Sequence, residues 1–238
     1  MNLDFSWLGD SLYQGLLIKG FGITVAMSLL GIVLMLAIGI AGAFCLHFRV
    51  PVLQTLVTVL VELLRNTPPL VQLFFLYFML SEIGFQFVDA TTGRKVPLFS
   101  GFVCVVLSLG LYNGAIAVEI VRSGLFGVPS QTVEGARSLG YTRFQVFRYV
   151  ELPIGLRLAT SAMTNNVVSL IKTSSQASLV AVMDIMFAAT RISVESFRNL
   201  EVMLLIWVLY VGLASFAVFV MHRIDRAFRM PGYGVRAA

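Results

Sequence analysis

The sequence predicts an all-α integral membrane protein with five transmembrane helices, the N-terminus outside and the C-terminus cytoplasmic. Three observations predict it. Of 238 residues 58% are hydrophobic and only 12% charged, with a mean hydropathy of +0.89, whereas soluble domains carry about 25% charged residues. Five stretches are apolar over the roughly 20 residues a helix needs to cross a bilayer. The arginines concentrate in alternate connections, the asymmetry that sets orientation.

The first span runs over residues 20–48 without an Asp, Glu, Lys or Arg. A tight turn, His47-Phe48-Arg49-Val50-Pro51, follows, and Pro51 suits a helix start because its missing N–H would have no partner there. The second span, 52–80, is interrupted by Glu62, Arg65 and Pro68-Pro69. Phe85 to Phe99, with Thr91-Thr92-Gly93, reads as an external loop. The third span covers 97–121 and meets its one carboxylate at Glu119. The fourth, 158–183, holds Lys172; the fifth, 202–221, is uncharged and contains Trp207 and Tyr210. Between them, Asp184 to Asn199 reads as a second external segment with a short surface helix. Arg122, Arg137, Arg143, Arg148 and Arg157, the tail arginines Arg223, Arg226, Arg229 and Arg236, and Arg49 fall on one side, which is therefore cytoplasmic. Lys19, Arg94, Lys95, Arg191 and Arg198 fall opposite, offset by Asp4, Asp10, Glu82, Asp89 and Glu195. Residues 1–238 read as one membrane domain. The N-terminus lacks a basic region and a small-residue cleavage site, so the first apolar stretch is expected to stay in the membrane.

The connection over residues 128–153 differs from the others. It is cytoplasmic in this topology, yet apolar residues recur at helical spacing. Ser130 after Pro129 is a suitable N-cap and Gly140 a suitable C-terminal stop, bracketing a helix with Glu134, Gly135 and Ala136. Thr142 suits the cap of a second helix with Phe144, Phe147 and Val150 on one side, ended by Pro153. Two capped helices make a rigid projection from the membrane.

This segment resembles the EAA loop of ATP-binding-cassette importer permeases, which reads E-A-A, three residues, G, nine residues, I-x-L-P. Here Glu134-Gly135-Ala136, Gly140 and Val150-Glu151-Leu152-Pro153 keep the spacing, with Gly135 for the middle Ala and Val150 for Ile. Gly135 weakens the helix by about 1 kcal/mol relative to Ala. Nearly the whole chain is similar to the polar amino-acid branch, the histidine, glutamine, glutamate and arginine permeases. Glu62-Leu63-Leu64-Arg65-Asn66-Thr67-Pro68-Pro69-Leu70-Val71-Gln72 resembles that branch's E-x-x-R-G-T-P-L-L-V-Q run. Asn113-Gly114-Ala115 with Glu119 and Arg122, and Leu170 to Ser178 around Lys172, resemble two further runs; in the latter Thr173 replaces the usual Asp and Gln176 an apolar residue.

The resemblance implies a type I importer permease fold and a non-catalytic permease subunit of an ATP-driven amino-acid uptake system in the bacterial inner membrane. It implies three partners: a second permease of the same or similar chain, an ATPase dimer, and an external solute-binding protein meeting loops 81–99 and 184–199. Glu134, Gly135, Ala136, Gly140, Leu152 and Pro153 would form the ATPase-coupling element. A short rigid helix seated in the ATPase transmits rigid-body motion. Glu134 would be an anchoring carboxylate near the first turn, where the helix dipole favours it, and Gly135 and Ala136 would let the helix sit close. The sequence has no G-x-x-x-x-G-K-[ST] phosphate loop, so ATP and Mg would be handled by the partner ATPase, with no cofactor bound by this chain. Without the resemblance, a second reading of the loop is an amphipathic segment lying on lipid through Arg137, Arg143 and Arg148.

Ionisable side chains inside spans are costly unless paired or facing a cavity. Arg65 lies about 14 residues past Pro51, roughly 20 Å along a helix, and Lys172 lies similarly far past Leu158, placing both near mid-depth. Two readings stand. In one, Arg65 and Lys172, with Glu62, line the substrate pathway and meet a substrate carboxylate, the Pro68-Pro69 break freeing backbone groups for the same cavity. In the other, Glu62 and Arg65 pair permanently and Lys172 faces a partner permease. Glu119 and Arg122 read as a structural intramembrane pair. His47 and His222 flank span ends at the interface, Trp207 and Tyr210 read as packing or lipid-facing residues, and Cys45 and Cys104 as small buried hydrophobes. No metal-ligand spacing and no nucleophilic triad is present. The net charge of +5 is spread among span ends rather than gathered on a nucleic-acid face. Rival classes are an ion-coupled secondary transporter, which would show internal repeats, and a non-transporting membrane anchor.

Overall fold

The computed structural model describes residues 3–49, 51–82, 86–88, 95–97 and 99–227. It is helical apart from a two-stranded antiparallel ribbon, β1 (Gln86–Val88) with β2 (Lys95–Pro97). Among the described residues three helices are long and apolar enough to cross a membrane: α1 (Ser11–Phe48), α4 (Gly101–Phe126) and α10 (Asn199–Ala227). Two bent pairs bring the number of candidate spans to as many as five. The Thr91-Thr92-Gly93 turn and the tail residues Arg229 and Arg236 lie outside the described residues.

The bundle is centred on α1 against α4, and glycine decides how close they come. A Cβ on Gly39 would stand 2.7 Å from the Ala117 Cβ, and one on Gly42 2.5 Å from Val118 Cγ2. In return, Leu34 fills the notch at Gly110, and Ile38 Cβ lies 2.9 Å from where a Gly114 Cβ would be. Lipid tails are as apolar as Leu, so helices in a membrane gain from this backbone proximity rather than from hydrophobic burial alone. A polar contact pins the same region: Asn166 Nδ2 of α8 (Thr160–Thr173) donates to the Asn113 carbonyl at 2.9 Å and approaches Met35 Sδ at 3.3 Å.

α1 begins nine residues before the expected boundary at 20. Asp10 caps it, its carboxylate accepting from the Leu12 N–H at 2.8 Å. The extra turns pack Tyr13, Leu16 and Leu17 with Trp7 against Ile185, Ile192 and Ile206, so apolar contact, not membrane depth, sets the start.

The second span is sharply broken. α2 (Leu53–Asn66) and α3 (Pro69–Glu82) meet at 109°. The Pro68-Pro69 pair removes two N–H donors, and Gln72 takes up Leu64 O: its amide nitrogen lies 2.6 Å from Leu64 O, and 3.1 Å and 2.6 Å from Thr67 O and Oγ1, which share its second hydrogen. One of the carbonyls the prolines deprive, Leu64 O, is thus used within the break.

The expected fourth span over 158–183 divides too. α8 passes into a 3-10 turn (Ser174–Val180), and after a 54° bend α9 (Ile185–Ser196) follows. Asp184 is buried and caps α9 through the Phe187 N–H at 2.9 Å. α9 turns one face inward and one outward: Ile185, Ala188, Ala189 and Ile192 are buried, while Thr190, Arg191, Val194 and Glu195 are exposed.

Candidate coupling segment and intramembrane charges

After α4 the chain turns at Pro129 into α5 (Ser130–Ser138). Ser130 does not cap it; Pro129 holds the N-cap position, and no side-chain cap bond forms. Glu134 therefore stands one full turn inside the helix, outside the first turn where the dipole would favour it. The stop is as expected. Gly140 has φ +86, its N–H donates to Arg137 O at 2.9 Å, and the Tyr141 N–H reaches back to Ala136 O at 3.3 Å. This paired arrangement satisfies the last carbonyls and needs a left-handed residue at Gly140. Thr142 then starts α6 (Arg143–Val146) with a complete capping box: its Oγ1 accepts from Gln145 N, and Gln145 Oε1 accepts from Thr142 N at 2.8 Å.

Pro153 does not end this helix. A π turn over Phe147–Glu151 precedes α7 (Leu152–Leu158), with Leu152 N–H donating to Phe147 O five residues back. The wider turn relieves the clash a proline ring makes with the carbonyl four residues before it. α7 then seats on α4, where Gly124 meets the Gly155 backbone and a Cβ on Gly155 would lie 3.0 Å from Leu125 N.

The faces also differ from expectation. Phe147 is 4% exposed and Val146 is buried, whereas Phe144 is 56% exposed. Ala136 is buried on its own segment at 7% exposure. Gly135 is exposed, with nothing within 4 Å of where its Cβ would be. Glu134, Gly135, Leu139, Tyr141 and Phe144 thus form an open face. Leu152 and Pro153 stand behind it, lining a groove of about 330 Å³ with Arg148, Met221 and Ile224.

The segment is tied to the last turn of α1, a connection that local spacing did not signal. His47 Nε2 lies 3.0 Å from Glu151 Oε2, and Arg143 donates to the His47 carbonyl at 3.3 Å. Phe147 packs between Phe44, His47 and Phe48 at centroid separations of 5.5, 5.0 and 5.0 Å.

Among the intramembrane charges, Arg65 faces Glu119 across helices (4.0 Å), and Glu119 also meets Arg122 (3.7 Å), whose guanidinium lies over Phe126. Glu62 is exposed and makes no ion pair among the described residues, so the expected Glu62–Arg65 pair is absent. One turn separates them, but Glu119 draws Arg65 towards α4. Lys172 is exposed and lines a cavity of about 460 Å³ with Val168, Trp207, Tyr210 and Val211; Arg65 does not line it. Trp207, 67% exposed, borders this cavity. The hydroxyls after Lys172 turn inward on their own helix, Thr173 to Ser169 O and Ser175 to Lys172 O. Among the described residues no three His, Cys, Asp or Glu are grouped to hold a metal.

Residues 35–230 match the family described as binding-protein-dependent transport system inner membrane component. The chain belongs to this family. Its members are non-catalytic membrane subunits, and the ATPase is a separate chain. Similar relatives include the glutamate/aspartate import permease protein GltJ of Escherichia coli K12, 29% identical with 98% of each chain covered. The probable amino-acid ABC transporter permease protein PatM of Vibrio harveyi is 32% identical over 89% of this chain and 90% of that one. Among solved structures, an amino acid ABC transporter crystallised with histidines aligns with a TM-score of 0.79 at 25% identity, covering 95% of this chain and 100% of that one. The methionine transporter MetNI in an inward-facing conformation aligns at 0.75 and 22% identity, over 93% of this chain and 100% of that one, which shows the shared permease fold. Family membership sets aside the ion-coupled carrier and the non-transporting anchor.

Proposed function

We propose that this chain is the permease subunit of an ATP-driven importer of polar amino acids in the bacterial inner membrane. Each bent helix pair counts as one span, giving five, with the N-terminus outside and residues 128–153 and the C-terminus in the cytoplasm; the arginine asymmetry supports this orientation. Five spans enclose no adequate pathway, so a second permease, identical or similar, completes it. Two ATPase subunits hydrolyse Mg-ATP against the 128–153 segments, and a solute-binding protein delivers substrate to the opposite face through 81–99 and 184–199.

The observation that carries the reading is the closed turn at Gly140 followed by the Thr142 capping box in the coupling segment. α5 is closed by the turn at Gly140 and buries Ala136, while Glu134, Gly135, Leu139 and Tyr141 are exposed among the described residues. Such a face transmits motion only if a partner fills it. Closeness to the partner falls to open Gly135, since Ala136 is spent on its own segment. The substrate class follows from the relatives, whose names specify glutamate, aspartate and glutamine. Lys172, in its cavity, is the stronger candidate for meeting a substrate carboxylate; Arg65, balanced by Glu119, is the weaker.

The test is to purify the native complex, reconstitute it in vesicles with its binding protein, and follow uptake of labelled glutamate, aspartate, glutamine, arginine and histidine. ATP-dependent uptake of at least one is expected, and none under an ion gradient alone. Uptake that ignores ATP would refute the reading. Lys172→Ala is expected to abolish the substrate dependence of ATP hydrolysis; unchanged dependence in both Lys172→Ala and Arg65→Ala would remove the carboxylate assignment.

A further inference from the structure

We infer that His47 and Glu151 form a strut that carries displacement of the coupling segment into α1, which makes them positioning residues of the transport cycle. The inference rests on the coupling reading above. By chain connectivity the segment acts directly only on α4, which precedes it, and on α7 and α8, which follow it. α1 ends at Phe48, far away in sequence, yet three kinds of contact fasten the segment to that end.

The first is the His47 Nε2–Glu151 Oε2 contact at 3.0 Å, with the two side chains 26% and 12% exposed. Such a pair is shielded from the solvent and salt that leave open surface pairs worth little. It remains bonded whether His47 is charged or neutral, since Nε2 can donate to the carboxylate in either state. The second is Arg143. It donates to the His47 carbonyl at 3.3 Å and lies over the Phe48 ring at 5.2 Å. That carbonyl belongs to the last turn of α1, where helix carbonyls lack intrahelical partners and a cation is favoured. The third is Phe147, wedged among Phe44, His47 and Phe48.

The π turn places these groups together. Phe147 and Glu151 open and close it, and both point at α1. Glu151 occupies the unspecified position of Val150-Glu151-Leu152-Pro153, so the loop pattern itself assigns it nothing. At the receiving end α1 is meshed with α4 by Gly39, Gly42, Gly110 and Gly114. A push at His47 therefore swings α1 and α4 together rather than bending the tip of α1. Packed interfaces of this kind shift between arrangements as rigid bodies.

The experiment uses the reconstituted complex with its ATPase and binding protein, measuring substrate transported per ATP hydrolysed. The variants are His47→Ala, His47→Gln, Glu151→Gln, Glu151→Ala and the His47→Ala/Glu151→Ala double. A photo-crosslinking amino acid at position 134 reports ATPase docking in each. A strut predicts that His47→Ala and Glu151→Ala each lower transport per ATP by about 5-fold or more, the lower end of typical coupling energies. The double variant should lose no more than His47→Ala alone, because once the imidazole is gone the Glu151 carboxylate has no partner in the pair left to lose. His47→Gln and Glu151→Gln, which keep a hydrogen bond within reach, should retain more than the alanine variants, and the crosslink should persist throughout. Additive losses, unchanged transport per ATP, or loss of the crosslink on His47→Ala would each overturn the strut. Absence of the crosslink without any substitution at His47 or Glu151 would defeat the docking reading instead.

Discussion

Replacing Gly140 by alanine isolates the rigidity on which coupling depends. The residue sits at φ +86, and a Cβ there would meet nothing within 4 Å, so the substitution adds no clash. Its cost is the backbone penalty of an L-residue in left-handed space, about 1–2 kcal/mol. Relieving that strain means giving up the Gly140-to-Arg137 and Tyr141-to-Ala136 bonds that close α5. A penalty of that size multiplies the population of the opened segment by about 5 to 30. Hydrogen exchange of the peptide covering residues 130–146 should report that loss of protection directly, with transport per ATP falling alongside it. Gly140→Asn, which tolerates left-handed backbone, should recover most of the protection. Gly135→Ala, in open space inside the helix, should instead raise protection, by about 1 kcal/mol of helix propensity. Equal protection in Gly140→Ala and the unsubstituted protein, or equal loss in Gly140→Ala and Gly140→Asn, would refute the reasoning.

Three further outcomes follow from other parts of the structure. Gly42→Val should overpack the α1–α4 seam against Val118 and destabilise the bundle by about 1–3 kcal/mol, seen as earlier thermal unfolding in detergent, while Gly22→Val, with nothing within 4 Å, should not. Gln72→Leu should strand the Leu64 and Thr67 carbonyls at the 109° break, costing about 1–3 kcal/mol and raising protease sensitivity between α2 and α3. The Asp4 carboxylate is held below its ordinary value of 3.8 chiefly by hydrogen bonds from Ser6, backbone then hydroxyl, with Arg198 assisting. A depressed value means the contribution is present above pH 3.8 and lost as pH falls through the lower folded value; exchange of residues 3–9 should quicken only under that strong acid, and Asp4→Asn should show the quickened exchange at neutral pH.

What was legible in the sequence was local. Gly140 and Thr142 announce a helix stop and a helix start because each satisfies backbone groups within a few residues of itself, and the structure forms both turns. The apolar stretches mark where helices run, since hydropathy needs no tertiary partner. What was not legible depends on neighbours distant in the chain. Pro153 reads as a terminator until the π turn at Phe147–Glu151 makes room for it. Glu62 looks like the partner of Arg65 at helical spacing, but Glu119 on α4 competes and takes it. Asn166 and His47 give no local signal; each matters through a contact with another helix, to Asn113 in one case and Glu151 in the other. The inward face of α9 was not legible because it is visible only once α1 extends to Ser11 alongside it.

The most direct test of the account is the neighbour of Glu134 in intact membranes. With a photo-crosslinking side chain at that position, illumination should yield one dominant adduct, and the attached protein should be an ATP-hydrolysing subunit whose yield changes when ATP is bound. Adducts confined to lipid, or to proteins without a nucleotide site, would contradict it.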